Sequence, residues 1–311
     1  MKRQEAFENQ KIMLKGGLHC HTTRSDGSGE PAEVIRLHKA NGYDFLAITD
    51  HRRYNYKNFA EDVEITIIPG MEYDNTGGYV NDYGFRVFHE VCIGPDDETN
   101  GFRQDECIPG ANAHTQELFQ PFLDEIHSYN NMTIYCHPQW SSTPPRFFDK
   151  LKGNFAFEIW NSGCVIENDM DVDNGMYWDE MLGQGIKIFA VATDDGHKMH
   201  HHCHGWVMVN SENNVKSILE ALKNGAFYSS CGPVIEDFYI DDNNVAHVKT
   251  SGCEKILLQC DKHPSKMARA QDEPVTEATF DLSGERPYSH IRATVIDKEG
   301  KRAWTNPIFL K

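Results

Sequence analysis

Two textures of apolar and polar positions follow one another along the chain. In the first, short apolar runs stop abruptly at a histidine or an acid, and amphipathic stretches separate them. LKGGLHCH (14–21) reads as a strand and RSDGSGE as a turn. PAEVIRLHKA reads as a helix with Pro31 in its first turn, Val34, Ile35 and Leu37 facing a core, and a stop before Gly42. DFLAIT (44–49) is a buried strand ending at Asp50-His51, which completes a βαβ unit. The pattern recurs in ITIIPG (65–70), RVFHEVCIG (86–94), the amphipathic helix 115–130, MTIYC before His137-Pro138, FAFEIWN (155–161), a helix over 174–183, IKIFAVAT (186–193), a helix over 214–225 and AFYSS.

The second texture begins at Gly232-Pro233. VIEDFYI, VAHVKT, KILLQC, ATFDL, HIRATVID and AWTNPIFL are short runs separated by turn residues, without helical periodicity. They predict a small antiparallel β domain, so the expected division is 1–232 and 233–311. A length of 311 residues accommodates one large and one smaller domain.

Composition narrows the function. Thirty Lys and Arg stand against 47 Asp and Glu, a formal charge of −17, which disfavours nonspecific binding to long nucleic acid. No apolar run approaches the ~20 residues of a membrane helix, and the N-terminus lacks a signal-peptide stretch. Nine Cys without a C-x-x-C pair fit reduced thiols in a cytoplasm. The 16 His are the departure from the ordinary, because many sit at the ends of apolar runs.

Those positions carry the candidate chemistry. His19 and His21 form an H-x-H pair whose side chains share one face, about 7 Å apart along an extended backbone. Asp26 lies in the following turn, where turn formation or helix capping is its alternative role. His51, Glu72, His137 and the Asp195/His197 pair each follow a predicted strand, and Asp194 is the rival to Asp195. His89 lies within an apolar run, where a hydrogen-bonded core histidine is the competing reading. In a parallel α/β barrel such strand ends converge on one rim. Imidazole and carboxylate donors suit zinc, manganese or iron, and nine donors suit two or three divalent ions sharing a bridging carboxylate.

Taken together, LHCHTTRSDGS, AITDH, PGMEYD, FHEVCIG, YCHPQW and ATDDGH resemble, in order, the polymerase-and-histidinol-phosphatase (PHP) superfamily. ILEALKNGAFYSSCGPVI and the closing RATVIDKEGKRAWTNPIFL look like the CehA/McbA-type metallohydrolase branch. The resemblance implies a distorted (βα)7 TIM-like barrel with a β-sandwich-like C-terminal domain. It also implies three ion sites: His19, His21, Glu72 and Asp195; Glu72, His89 and His137; and Asp26, His51 and His197. Arg52-Arg53-Tyr54 after T-D-H and the run KMHHHCHGW depart from the pattern at the pocket rim.

The expected activity is hydrolysis of a small phosphate ester or nucleotide by metal-bound hydroxide, with Glu72, Asp195 and His197 nearest the reacting atoms and a small anionic substrate. Arg24, Arg52, Arg53 and His202 are candidate substrate contacts, each with a bland alternative as a surface or loop residue. Glu158 is a candidate to orient a ligand histidine from behind. The alternatives are a carboxylic or carbamate ester hydrolase and a non-catalytic metal-binding module. Three roles stand open for the β domain: capping the barrel, building a homo-oligomer, or shaping the pocket mouth.

Overall fold

Apolar side chains from two different sheets meet in one interior, and this sets the architecture. The computed structural model describes residues 4–7, 13–75, 78–80, 84–110, 112–261, 266–284 and 288–310. A five-stranded sheet runs in the order Phe189–Thr193, Asn154–Asn161, Met132–Tyr135, His89–Ile93, Gly70–Asp74. Facing it are Phe227–Ser230, Trp206–Asn210, Met13–Gly17, Phe45–Leu46 and Thr66–Ile67, which belong to a larger sheet. Val91, Ile134, Ala156 and Val191 from the first join Leu14, Phe45, Val207 and Val209 from the second.

Strand periodicity then builds the outer layer. Ile134 and Ala156 point inward, whereas Tyr135 and Phe157 point the other way. There they pack with Phe119 and Leu123 of helix Gln116–Ser128 and Trp178 of helix Gly175–Gly183. Thr115 caps the first of these helices, its side chain accepting from the Leu118 amide.

The expected closed (βα)7 barrel does not form among the described residues. Only single-residue bridges, Cys20 with Gly196, His51 with Glu72 and Asn55 with Gly70, span the seams between the two sheets. Two physical reasons are visible. His89–Ile93 runs antiparallel to both of its neighbours, and a two-stranded ribbon, Gly78–Val80 with Gly84–Arg86, replaces the crossover helix that a parallel pair would need. Moreover, Phe45–Leu46 and Thr66–Ile67 are only two residues long, because the chain beyond them curls toward the seam.

Several elements are shorter than their apolar runs. The strand predicted over 14–21 ends at Gly17, so His19 and His21 stand beyond the ladder. Helix Pro31–Ala40 matches its prediction, but His38 rather than Leu37 is buried on its inner face. One helix, Ser162–Asn168, was not foreseen.

The second texture folds as a sandwich. Gln4–Glu5, Ile235–Ile240, Val245–Cys253 and Val275–Asp281 form an antiparallel sheet. Its Phe238, Val248 and Phe280 pack against Ile256, Leu258, Ile291 and Val295 of the opposing layer. That layer is continuous with the first region: Arg302–Thr305 pairs with Phe227–Ser230, Trp304 opposite Ser229. One ten-stranded sheet therefore runs across positions 232–233. No described helix is long and apolar enough to cross a membrane.

Candidate metal centre

His19, His137 and Asp195 each stand two residues past the end of a strand, whereas Glu72 lies inside strand Gly70–Asp74, not after a strand as the sequence suggested, and His89 opens strand His89–Ile93. Two of these ligands, His137 at φ 28° and Asp195 at φ 48°, and Arg52 next to His51, at φ 53°, have left-handed backbone that non-glycine residues seldom adopt. The turn carrying Asp26 is tied down by buried Asp50, which accepts from the Thr22 amide at 2.8 Å and the Ser25 hydroxyl at 2.9 Å. Gly27 closes that turn so tightly that a Cβ would lie 2.5 Å from the carbonyl carbon of His21.

The centre of the arrangement is Glu72, 1% exposed. Its Oε2 lies 3.4 Å from His19 Nε2, 3.2 Å from His21 Nε2 and 3.1 Å from His51 Nδ1. Its Oε1 lies 2.9 Å from His89 Nδ1 and 3.4 Å from His137 Nε2. Asp195 stands beside it, with Oδ1 3.3 Å from His19 Nε2, 3.0 Å from His21 Nε2 and 3.5 Å from His197 Nδ1. Asp26 Oδ2 reaches His197 Nε2 at 3.3 Å and His51 Nε2 at 3.6 Å. All nine candidate ligands thus meet in one place.

The donors fit cations. Glu72 Oε2 and Asp195 Oδ1 are buried without a hydrogen-bond partner, although imidazole nitrogens surround them. Such groups aim at shared points between them rather than at one another. Two sets gather ligand atoms within 4.8 Å: His19, His21, Glu72 and Asp195, fully buried, and His21, Asp26, His51 and His197, opening outward. A third set joins His51, Glu72 and His89.

Without a cation, the buried carboxylates favour protons on His19, His21 and His137. Burial opposes the imidazolium of His19, but Asp195, Glu72 and Glu158 outweigh it and hold its pKa well above the usual value. For His21 burial is likewise overcome, by Asp195 and Glu72, and its pKa rises to about 10. For His137 the same balance, led on the raising side by Glu72, gives about 9. Burial pushes Glu72 and Asp195 toward the neutral acid, yet the surrounding histidines hold both carboxylates well below their usual range. His89 differs: burial prevails over Glu72, and its pKa falls.

A buried scaffold orients the ligands. Glu158 Oε1 accepts from His19 Nδ1 at 2.7 Å and from the Thr193 hydroxyl at 2.6 Å. Its Oε2 accepts from the His137 amide and from Asn161 Nδ2, both at 2.8 Å. Hydrogen on His19 Nδ1 leaves Nε2 with its lone pair toward Glu72 and Asp195. Asn161 was missed in the sequence. Its side chain also donates to Asp195 Oδ2 at 3.0 Å and caps the unforeseen helix by accepting from the Cys164 amide. An Asn directly before Ser-Gly was the available signal.

A cavity of about 330 Å³ opens over Asp26, His51, His89, His137 and His197, walled by Trp140 and Lys198. Trp140 is 42% exposed, its ring 4.9 Å from that of His137. Arg24, Arg52 and Arg53 line an adjoining cleft of about 400 Å³ together with Asp26 and His51. Arg24 is already paired with Asp105, and Arg52 Nε lies 3.1 Å from Asp74. Two candidates stand apart. His202 is buried, 4% exposed, and does not line the cavity. Asp194 turns away, its oxygens accepting from the amides of Cys203, His204 and Gly205.

Residues 17–150 match the PHP domain family. No curated protein sequence matches the chain. Among solved structures, a two-domain protein from Bacteroides vulgatus containing a predicted PHP-like metal-dependent phosphoesterase is similar over 96% of this chain and 94% of its own. Identity is 15% and the TM-score 0.52, a likeness of fold. An amidohydrolase from Chromobacterium violaceum is similar over 59% of this chain and 88% of its own, at 14% identity and a TM-score of 0.41.

Proposed function

Residues 17–150 are a PHP domain, and from that premise we propose that the chain is a metal-dependent hydrolase acting as a phosphoesterase on a small anionic ester. The observation that carries this reading is one buried carboxylate, Glu72, shared among five imidazoles. Divalent cations of the zinc, manganese or iron type, two or three in number, would lower the pKa of a coordinated water and offset negative charge on the ester.

The chain's own residues do the rest. Glu72 offers one oxygen to the His19/His21/His51 side and the other to the His89/His137 side. Asp195 and His197 complete the inner and outer sets, and Asp26, with its side chain 55% exposed, stands nearest the opening. Glu158 positions His19 and the His137 backbone without reaching the cavity. Arg24, Arg52 and Arg53 present guanidinium groups along the adjoining cleft, suited to gripping phosphate oxygens in pairs. Trp140 supplies a flat apolar wall for the leaving group. On this reading residues 1–232 supply the chemistry and 233–311 support it.

Hydrolysis of a carboxylic or carbamate ester is the second reading, and Trp140 would receive an aryl alcohol from either ester equally well. The test is a panel of aryl phosphates, phosphodiesters and aryl esters with protein reconstituted in Mn²⁺, Zn²⁺ or Fe²⁺. Turnover of phosphates that vanishes on chelation is expected. Turnover of carbon esters alone would move the assignment to the second reading, and metal binding with no turnover would leave a binding module.

A further inference from the structure

A second constellation of ligand-type side chains lies behind the cavity wall. His38, on the inner face of helix Pro31–Ala40, is fully buried, and His202 is 4% exposed. Their rings meet at a centroid distance of 5.2 Å. Asp194, 2% exposed, lies between the helix and the loop, its Oδ2 3.6 Å from His38 Nε2. One ligand atom from each of the three lies within 4.8 Å of the other two.

The hydrogen bonding around this group is incomplete in a specific way. His38 Nδ1 contacts the Val34 carbonyl at 2.8 Å and so carries the hydrogen, which leaves the Nε2 lone pair facing a carboxylate oxygen. That Nε2 has no hydrogen-bond partner, and neither ring nitrogen of His202 has one. Asp194 Oδ1 is satisfied by the Ser162 hydroxyl and the amides of His204 and Gly205, while Oδ2 accepts only from the Cys203 amide. The orphaned imidazole nitrogens and the less occupied carboxylate oxygen therefore converge in a buried space where unmet polar groups are costly. Burial keeps the His202 ring neutral, its pKa pushed down to about 3, as a metal ligand must be.

We propose that His38, Asp194 and His202 form a separate divalent transition-metal site with a structural role. Two imidazoles and one carboxylate are a donor set suited to zinc or a similar ion. The ion would join three segments that lie far apart in sequence: helix Pro31–Ala40, the end of strand Phe189–Thr193, and the loop after Gly196. Gly196 allows the closure, because a Cβ there would sit 2.2 Å from His202 Nδ1. The same loop carries His197, Lys198 and His201 into the cavity lining, so the clip would fix one wall of the catalytic pocket. The site rests on its own residues and stands whatever ester the Glu72 centre cleaves.

The experiment counts metal. The full chain and its His38→Ala, His202→Ala and doubly substituted forms are loaded with Zn²⁺, dialysed, and analysed by elemental mass spectrometry. Each variant is expected to hold one equivalent fewer than the unsubstituted chain, and the double variant also one fewer, not two. His89→Ala, at the Glu72 centre, should leave the His38 site filled. An unchanged count in the double variant would overturn the proposal. Because a variant can misfold, crystals of the unsubstituted Zn²⁺-loaded chain give an independent reading at the zinc absorption edge. An anomalous peak within about 2.0–2.2 Å of all three ligand atoms is expected. A bridging water without anomalous signal, or a direct His38–Asp194 hydrogen bond, would refute the site.

Discussion

The region that holds the metal ligands and the sandwich beyond it are built on opposite principles. In the sandwich, Lys255–Cys260 pairs with His290–Ile296 over six consecutive residues, and Val245–Cys253 is a strand of nine. Alternate side chains fill one apolar layer, and regularity serves stability. Around the metal centre, Met13–Gly17 has five residues, Met132–Tyr135 four and Phe45–Leu46 two, and His137 and Asp195 beyond strand ends take left-handed backbone. Each departure points a polar side chain at a common centre instead of continuing a ladder. The difference teaches that much of the ligand geometry is obtained by ending strands early around one in-strand carboxylate, Glu72, and that longer ladders elsewhere stabilise a fold which tolerates this.

The sharpest way to break the comparison is Glu72→Gln. It removes the shared carboxylate, and loss of several kcal/mol of cation-derived stabilisation predicts a fall in kcat/KM of about 10³-fold or more. Steady-state kinetics with metal analysis checks it; activity within tenfold of the unsubstituted chain would mean Glu72 is not the bridge. Phe238→Ala attacks the other region. A fully buried Phe in the sandwich should cost about 3–5 kcal/mol in denaturant unfolding while the folded protein keeps its metal content. Coupled loss of metal in the folded state would erase the distinction.

Glu158→Gln probes the scaffold between the two. It keeps the volume but weakens four hydrogen bonds, so metal affinity should fall about 10–100-fold by competition with a chelator, with the fold intact. The smallest effect concerns pH in chelated protein. The raised pKa values of His21 and His137, about 10 and about 9, mean that their stabilisation is complete below about pH 6.5 and fades as pH rises through 9 and 10. The depressed Glu72 and Asp195 act in the opposite sense, but below their ordinary pKa range, outside this window. Thermal melts should therefore drop by a few degrees between about pH 6.5 and 10 in metal-free protein and not in loaded protein. A flat profile in the metal-free form would show that the rings are not protonated.

Much of the candidate site was legible because its donors sit at abrupt ends of apolar runs, and His19, His21, Asp26, His51, Glu72, His89, His137, Asp195 and His197 do gather. What periodicity could not show is pairing direction. Apolar run 86–94 looks the same whether its strand is parallel or antiparallel, and the antiparallel outcome is one reason the barrel stays open. Nor could it show that His201 and His202 turn inward while His200 and His204 stay exposed: His202 lies in a polar run, yet Gly196 makes room for its ring against His38. Asn161 and Asp50 hide for a related reason. Their work is to hold other residues, and although Asn161 before Ser-Gly signals a cap, neither an Asn at a strand end nor an Asp in a loop shows in sequence which ligand it holds.

The continuity of the large sheet bears on how the chain comes together as it is synthesised. Cys231 pairs through its amide and thiol with Arg302, 71 positions downstream, at the point where the closing strands dock beside Phe227–Ser230. Until that late segment leaves the ribosome, the older half presents a bare hydrogen-bonding margin that could recruit other nascent chains. A fragment ending near 232 should therefore be sticky rather than merely slow.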